Sequence, residues 1–526
     1  MIRSLWFLLL FVTLIGKTQP YDLLIANGRI IDGTGNSWYY GDVAVANGKI
    51  LKIGKLKGQA RRVIDASGMI VSPGFIDVHT HIETNDFKVP TANNFIHDGV
   101  TTVVTGNCGA SNVDLGMYFY KLDSAKLSIN VASLIGHNSV RKEVMGESMR
   151  DPTPEEQRQM EHLISKAMEA GAVGFSTGLI YVPGTYSKTA EVVSLAKIAS
   201  AYNGVYASHI RDEGDHVLEA IDEALHIGGE ANMPIEISHF KVTYKPNWGL
   251  SEKTIARIEQ ARLEGIDVTV DQYPYVASST TLNSVVPTWV FSGGNDSMMY
   301  RLNTLSIRAK IKKEMTASLK KKKLKNYSYA VVANYQEDST YNGKTISEIN
   351  RIKGRKPTAI NEAETILEMI LNGRVQMIFF SMNEEDLKRI LRYPFNMFAS
   401  DAGIVAPGGT MPHPRGYGTN ARVLGKYVRE EKIITLEEAI RRMTSLPARK
   451  FQLRDRGILQ EGMAADIVIF DEKTVSDLST YTNPHAYSTG FHYVIVNGVP
   501  TIEQGNHNQT RNGMVLRRPD EKHDDL

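Results

Sequence analysis

Cysteine is almost absent from this chain, which has one, Cys108, in 526 residues. A single thiol excludes an internal disulfide, so the fold cannot depend on disulfide cross-links. Cys108 is therefore either a small buried apolar side chain or a residue with a chemical role.

A large excess of one charge is lacking as well. The formal net charge is +2, too small to build a phosphate-binding face, and we expect no nucleic-acid partner.

Apolar runs long enough to cross a bilayer are also lacking. The first residues pair a basic start with about a dozen apolar positions, which is too short to span a membrane comfortably. We assign residues 1–18 to a secretory signal peptide and expect an exported protein, periplasmic or secreted, with no stable membrane span after signal removal. No clean Ala-x-Ala cleavage site follows, so an uncleaved anchor is the alternative.

The bulk composition is that of a globular protein with a large core, with 42% hydrophobic and 22% charged residues. At both ends of the chain, short β-branched runs alternate with Asn- and Gly-containing turn signals. We predict that the two ends form one small β-sandwich domain from residues 19–72 and 454–517. Residues 518–526 form a polar tail.

Between the two ends, apolar strands alternate with helical stretches, the pattern of parallel βα units. Eight strands are predicted, the number that closes a parallel barrel. Their bounds are Ile70–His81, Thr101–Gly106, Ile129–Gly136, Val173–Gly178, Val205–His209, Ile235–His239, Val268–Tyr273 and Met397–Asp401. The fold class is therefore α/β, with a (β/α)8 TIM-like barrel at residues 73–453.

The connection between the seventh and eighth strands is too long for an ordinary crossover. We predict that residues from about 285 to 390 form a lid inserted over the barrel mouth. The basic run 308–325 lies in this insertion. Its pattern predicts a solvated amphipathic helix rather than a nucleic-acid site.

Candidate metal ligands stand at the ends of five predicted strands. A lone His-x-His motif would be a weak signal, but its combination with ligands at four other strand ends is hard to obtain by chance. The carboxyl ends of barrel strands form the catalytic mouth, and imidazole, thiolate and carboxylate are the ligands of a zinc or di-zinc site. Core histidines without a metal are the alternative. The candidates are His79, His81, Cys108, His209, His239 and Asp401.

These residues lie in longer motifs. Those motifs include Pro73-Gly-Phe-Ile-Asp-Val-His79-Thr-His81, Gly106-Asn-Cys108-Gly, Ser176-Thr-Gly-Leu-Ile-Tyr181-Val-Pro-Gly, Ser208-His209-Ile-Arg-Asp-Glu, Ser238-His239-Phe-Lys241, Tyr273-Pro-Tyr275 and His413-Pro-Arg415. With them the chain resembles the D-aminoacylase (N-acyl-D-amino-acid deacylase) family of the metal-dependent amidohydrolases, over nearly everything after the signal. Cys108 is the specific feature, because the related hydantoinases and dihydroorotases bridge their metals with a carboxylated lysine.

The resemblance implies two metal positions of unequal strength. A tightly held Zn²⁺ is implied on Cys108, His209 and His239, and a weaker second metal on His79, His81 and Asp401. Thiolate and two imidazoles leave a fourth position for water, as in a catalytic zinc site. Asp401 is then the expected general base, which takes the proton of water and passes it to the leaving amine.

The amine product in this family carries an α-carboxylate, so the resemblance also implies cations in the pocket. Arg415 and Lys241 are the matching positions, since arginine suits a bidentate grip on carboxylate. Arg415 as a loop brace and Lys241 as a surface lysine are the alternatives. Tyr181 and Tyr273 are expected to donate phenolic hydrogen bonds, although Tyr273 also fits core packing. His413, in a Gly- and Pro-rich loop, stays unassigned.

The expected activity is zinc-dependent hydrolysis of a small-molecule substrate, an N-acyl-D-amino acid or a D-residue-containing dipeptide. A cyclic amidase of the hydantoinase or dihydroorotase type is an alternative that Cys108 disfavours. A secreted binding protein with a structural metal is another, which the complete ligand set and the candidate base disfavour. Side-chain preference is set by loops above the strands, and the sequence does not predict it.

Overall fold

The computed structural model describes residues 21–406 and 408–519. Within them, eight parallel strands form one sheet in chain order. They are Phe75–Asp77, Val100–Thr105, Asn130–Gly136, Gly174–Gly178, Val205–His209, Ile235–Ile237, Val268–Gln272 and Asn396–Phe398, called barrel strands 1 to 8. The sheet curls until strands 8 and 1 meet at the bridge between Thr80 and Ala402. The predicted parallel barrel is confirmed.

Burial explains why these segments are strands. Every residue of Val100–Thr105 and of Asn130–Gly136 is buried, as expected for parallel strands covered on both faces by the barrel interior and the surrounding helices. The helices pack either around the barrel or on the separate core formed by residues inserted between its last two strands. They are Asn93–Ile96, Leu115–Ala125, His137–Met145, Pro154–Glu169, Thr189–Ser200, Val217–Glu230, Ser251–Leu263, Gly294–Asn303, Leu305–Lys321, Ile346–Ile352, Ala359–Asn372, Glu384–Leu391, Arg415–Arg422, Leu436–Met443 and Ser445–Lys450.

The first predicted strand, Ile70–His81, is in fact two strands in different sheets. Ile70–Pro73 pairs with strands of the chain ends, and Phe75–Asp77 begins the barrel. Gly74 lies at the break, where a Cβ atom would come within 2.2 Å of Thr101 Oγ1. The prediction of one strand was wrong because the apolar run is continuous across a point where only glycine permits this close approach.

The two chain ends share a second sheet, built within the described residues from nine strands that are all linked by hydrogen bonds. The core on its face contains Ile25, Val43, Ile467 and Ile495, contributed by both ends. The strands are Leu23–Ile30, Tyr39–Ala46, Lys49–Gly54, Val63–Asp65, Ile70–Pro73, Ile467–Phe470, Phe491–Val496, Val499–Glu503 and Asn506–His507. The predicted signal peptide and most of the predicted tail lie outside the described residues.

A separate unit is inserted between barrel strands 7 and 8, as predicted, but its first strand begins before the predicted start at about residue 285. Its antiparallel sheet consists of Ala277–Thr281, Ala330–Tyr335 and Val375–Phe380, and it has its own hydrophobic core. The first of these strands starts a few residues after barrel strand 7, which places the insert at the carboxyl ends of the barrel strands. The predicted basic helix is present as Leu305–Lys321, with Ile311, Met315 and Leu319 buried.

Among the described residues, no helix has both the length and the apolar character that a bilayer crossing requires.

Candidate metal centre and active site

Six predicted ligands come together where the barrel strands end. His209 is the last residue of barrel strand 5, and the others follow strands 1, 2, 6 and 8 by a few residues. Their ligand atoms form three overlapping groups, and within each group all atoms lie within 4.8 Å of one another. The groups are His79, His81 and Cys108; Cys108, His209 and His239; and His79, His239 and Asp401.

Cys108 lies at the centre of this cluster. Its sulfur is 3.2 Å from His79 Nε2, 3.5 Å from His209 Nδ1 and 3.6 Å from His239 Nε2. The two nitrogens of His209 and His239 are 2.7 Å apart. One sulfur and two imidazole nitrogens thus converge on one small volume, as the tight metal position would require.

Asp401 completes the cluster on the side of His79 and His81. Its Oδ1 is 3.3 Å from His81 Nε2 and 3.7 Å from His79 Nε2. The backbone N–H of Asp401 donates to the carbonyl of His79, and the N–H of His81 donates to Ala402, both at 2.9 Å. The seam that closes the barrel therefore also fixes the distance between these ligands.

Three of the six ligands have a left-handed backbone. The φ angles are +52° at Cys108, +38° at His239 and +50° at Asp401, a region that side chains other than glycine seldom adopt. Such strain is found where surrounding structure holds a residue for its function. These turns direct the side chains inward just past the strand ends, and strand periodicity could not have predicted them.

The charges in the cluster call for a cation. Burial raises the pKa of the Cys108 thiol, but the neighbouring His79 and His209 outweigh it and hold the pKa well below its usual value. Burial also raises the pKa of the Asp401 carboxyl, and the Arg415 guanidinium and nearby imidazoles bring it well below its usual range. A thiolate and a carboxylate therefore face the same volume.

Two of the imidazoles balance these anions by holding a proton. Burial lowers the pKa of His81, but hydrogen bonds with Asp401 and Cys108 raise it to about 9. Burial lowers the pKa of His79 too, and the charges of Cys108 and Asp271 raise it well above its usual value. A divalent metal would supply the same charge to the same anions, so the donor set fits a metal by both atom type and electrostatics.

Two carboxylates that the sequence analysis missed hold the ligands in place. Asp271, on barrel strand 7, accepts from the backbone N–H of His239 at 2.9 Å and lies 3.1 Å from His79 Nδ1. Glu213 Oε1 is 3.0 Å from His239 Nδ1. With a metal on the opposite nitrogen of each ring, these carboxylates accept the remaining ring proton and fix the tautomer.

A sequence signal existed for Glu213 alone. It ends the Ser208-His209-Ile-Arg-Asp-Glu motif, four residues after a ligand. Asp271 is 192 residues away from His79 in the chain, so no local sequence pattern predicts that the two side chains are in contact.

Lys241 is buried beside the cluster, so the alternative of a surface lysine is wrong. Its Nζ contacts Glu213 Oε1 at 2.5 Å, His239 Nδ1 at 2.7 Å and the His239 carbonyl at 2.8 Å. Its charge is neutralised by Glu213, and it still lines the cleft above the cluster.

Arg415 is buried as well and forms an ion pair with Asp401, with 2.8 Å between Nη1 and Oδ2. Its Nη2 donates to the Ser279 carbonyl of the insert at 3.3 Å. His413, left unassigned, is buried behind it and accepts from the Arg415 backbone N–H at 3.0 Å. Arg415 therefore both orients the candidate base and ties the loop to the insert.

The two predicted tyrosines lie at the same cleft. The Tyr273 ring faces both cations, with its centroid 4.4 Å from Arg415 Cζ and 5.6 Å from Lys241 Nζ. Its hydroxyl is buried and has no hydrogen-bond partner among the described residues. The Tyr181 ring packs edge-on against His209, 4.7 Å between centroids. Both side chains line a cleft of about 170 Å³ that opens from the metal cluster.

Comparisons with known proteins agree with this geometry. A model of the amidohydrolase family matches residues 62–502. N-acyl-D-glutamate deacylase of Alcaligenes xylosoxydans xylosoxydans is 36% identical over 95% of this chain and 97% of its own length. D-aminoacylase of the same organism is 34% identical over 95% of this chain and 98% of its own.

Solved structures agree in fold as well. A crystal structure of D-aminoacylase has a TM-score of 0.82 at 34% identity, covering 95% of this chain and all of its own. N-acyl-D-glutamate deacylase from Bordetella bronchiseptica, complexed with zinc and a phosphonate inhibitor that mimics the tetrahedral intermediate, has a TM-score of 0.81 at 35% identity with the same coverage. A D-hydantoinase, at 16% identity and a TM-score of 0.57, shares the fold alone. The chain belongs to the amidohydrolase family, in its D-aminoacylase (N-acyl-D-amino-acid deacylase) branch.

Proposed function

We propose that this protein hydrolyses the amide bond of N-acyl-D-amino acids, releasing a D-amino acid and a carboxylate. The observation that carries the proposal is the Cys108-centred ligand cluster with Asp401 beside it, at the mouth of a barrel whose relatives are deacylases of this kind. A thiolate in this place, rather than a bridging lysine, separates the site from that of the cyclic amidases that share the fold.

The metal is proposed to be zinc, tightly held by Cys108, His209 and His239. When bound, such a metal polarises the substrate carbonyl and lowers the pKa of water toward ~7. A weaker second position is proposed on the side of His79, His81 and Asp401. One of the solved relatives, a D-aminoacylase at 33% identity, is described as having a binuclear centre with one-metal activation and second-metal attenuation.

Asp401 acts as the general base. Its low pKa keeps the carboxylate ionised at neutral pH, so it can accept a proton from the attacking water. The same proton then passes to the leaving nitrogen, because an amine anion is a very poor leaving group. Arg415 holds Oδ2, which leaves Oδ1 directed toward the cluster.

The substrate α-carboxylate binds near Lys241, Arg415 and Tyr273. Arginine has five N–H donors, so pairing with Asp401 and Ser279 does not exhaust Arg415. The unpartnered Tyr273 hydroxyl supplies a further donor at the cleft wall. We further propose export of the protein, on the basis of its N-terminal sequence alone.

The test is release of free amino acid from matched N-acetyl-D- and N-acetyl-L-amino acids by zinc-loaded protein, with Met, Leu, Phe, Glu and Asp side chains. We expect turnover of the D series and none in a Cys108→Ala control. Protein with stoichiometric zinc and no turnover of either series would overturn this substrate assignment, and D-residue dipeptides would be assayed next.

A further inference from the structure

We propose that the active-site cleft contains a second anion subsite, formed by Lys322 and Tyr244, which binds a carboxylate of the substrate other than the α-carboxylate. This inference rests on the proposed deacylase function and names its substrate class, N-acyl-D-amino acids with an additional acidic group. Neither residue belongs to the metal cluster or to the predicted substrate-binding set. Both line the same cleft as His239 and Asp401.

Lys322 reaches the cleft from the insert. It is the residue after the helix Leu305–Lys321, and its backbone N–H donates to the Ser318 carbonyl at 3.0 Å. The predicted solvated helix is correct for the preceding turns, but Lys322 is half-buried. Its Nζ donates to the Tyr244 hydroxyl at 3.1 Å and lies 4.2 Å from the ring centroid.

Tyr244 is the second residue of the subsite. It lies three residues after Lys241, so it lies at most ~11 Å along the chain from that cation. Its φ of +67° is rare for a bulky residue, and its N–H is held by the Ser381 carbonyl at 2.7 Å. The backbone thus carries strain to keep this ring at the cleft, where it contacts Lys322.

Among the described residues, Lys322 is a cation of the cleft lining that has no carboxylate partner. Each carboxylate that lines the cleft already has a partner. These pairs are Glu213 with Lys241, Asp401 with Arg415, Asp215 with Lys321, and Asp212 with the backbone N–H of Gly214. In the described part of the chain, Lys322 has no carboxylate within 4.0 Å. An ammonium group has three donors, so two remain for a ligand after the bond to Tyr244.

The rest of the cleft lining suits a polar group. Four hydroxyl side chains of the insert contribute to it, together with Thr243, Ser381 and the apolar side chains of Ile180 and Phe379. The four are Ser278, Ser279, Thr280 and Ser284. With the α-carboxylate held near Lys241, a second carboxylate on the same small molecule would lie toward Lys322. That carboxylate belongs either to an acidic side chain, as in D-glutamate, or to the acyl group, as in a succinyl substituent.

Kinetics of the zinc-loaded protein test the subsite. For wild type and Lys322→Met, kcat/KM is measured with N-acetyl-D-glutamate, N-succinyl-D-leucine and N-acetyl-D-leucine. We expect Lys322→Met to lower the ratio of kcat/KM for one acidic substrate to that for N-acetyl-D-leucine by about tenfold or more, mainly through KM. The substrate whose ratio falls identifies whether the carboxylate comes from the side chain or the acyl group. Lys323→Met, at the exposed next residue, is the matched control and should leave both ratios unchanged.

Ratios that stay the same in Lys322→Met, or that fall equally in Lys323→Met, would overturn the subsite while leaving the deacylase function intact. Absence of turnover of all three substrates by wild type would instead count against the proposed function. In that case calorimetric binding of D-glutamate, D-leucine and succinate to zinc-loaded protein still decides the subsite. Binding of D-glutamate or succinate that is tighter than that of D-leucine, and that weakens in Lys322→Met alone, supports it. Binding that is indifferent to Lys322 rejects it.

Discussion

At the scale of single residues, the site is a set of anions and cations that fix one another. Glu213 joins the metal cluster to Lys241, a cation proposed to bind substrate, because its Oε1 contacts His239 Nδ1 and Lys241 Nζ together. Arg415 plays the same part for Asp401. The side chains proposed to bind substrate or metal are therefore positioned by partners that bear the opposite charge.

Replacement of Glu213 by glutamine tests this arrangement. The amide cannot carry the negative charge that stabilises the Nδ1–H tautomer of His239, and it leaves Lys241 without a counter-ion. We expect metal affinity to fall about 10–100-fold, measured by competition with a chelating dye. Glu219→Gln, on an exposed helix surface, is the control and should bind metal normally. Unchanged affinity in Glu213→Gln would contradict the positioning role.

Arg415→Met tests the pH dependence of the base. Burial raises the pKa of Asp401, and Arg415 is the strongest influence that lowers it. The carboxylate must be ionised to accept a proton, so loss of the guanidinium should raise the pKa and move the acid limb of kcat to higher pH by about 1–3 units. Arg415→Lys keeps the charge and should shift the limb less. A lower kcat with an unmoved limb would separate Arg415 from the titration of Asp401.

At the scale of elements, the position of the site depends on one short segment, residues 70–77, whose two halves belong to different sheets. Gly74 separates Ile70–Pro73 of the second sheet from Phe75–Asp77 of the barrel. Asp77 then binds the backbone N–H groups of His79 and Ser400, at 3.1 Å each, and so joins barrel strand 1 to barrel strand 8. A shift at Gly74 would therefore displace ligands on both sides of the seam.

Gly74→Ala is expected to destabilise the protein by about 1–3 kcal/mol, because its Cβ would overlap Thr101. The matched control is Gly229→Ala in the helix Val217–Glu230, where a Cβ meets nothing within 4 Å. That substitution should stabilise by roughly 0.5–1 kcal/mol, since alanine loses less backbone entropy than glycine. Denaturant unfolding measures both changes, and equal effects of the two substitutions would show that the contact with Thr101 does not matter.

The sequence predicts the barrel strands and the six ligand residues because both depend on local patterns, apolar runs and the residue types at their ends. It does not predict Asp271 as the partner of His79, nor the left-handed turns at Cys108 and His239, since these follow from packing between strands far apart in the chain. The role of Lys322 was missed for the same reason. A basic run at helical spacing gives no sign that its last turn meets a tyrosine 78 residues earlier.

At the scale of the whole molecule, the metal cluster and the closure of the barrel are one feature. The predicted ligands lie at or just after the ends of barrel strands 1, 2, 5, 6 and 8. The bridge between Thr80 and Ala402 joins the segments that follow strands 1 and 8, next to the ligands there. The second sheet and the core of the insert are built from other residues. Metal binding should therefore stabilise the barrel seam more than the other two units.

Removal of the metal by a chelator gives the corresponding prediction. A metal present at about 100 times its Kd adds about 2.7 kcal/mol to the free energy of unfolding, and chelation should remove this amount. Hydrogen exchange should then become faster at residues 78–82 and 399–404, where backbone hydrogen bonds close the seam, and change little in Ile467–Phe470 of the second sheet. In Cys108→Ala, stability should respond to metal much less, because the central sulfur is lost. Equal acceleration of exchange in both sheets would mean that the metal stabilises the whole molecule and not the seam in particular. A local effect is expected only if the metal ligands and the hydrogen bonds that close the barrel lie on the same strands.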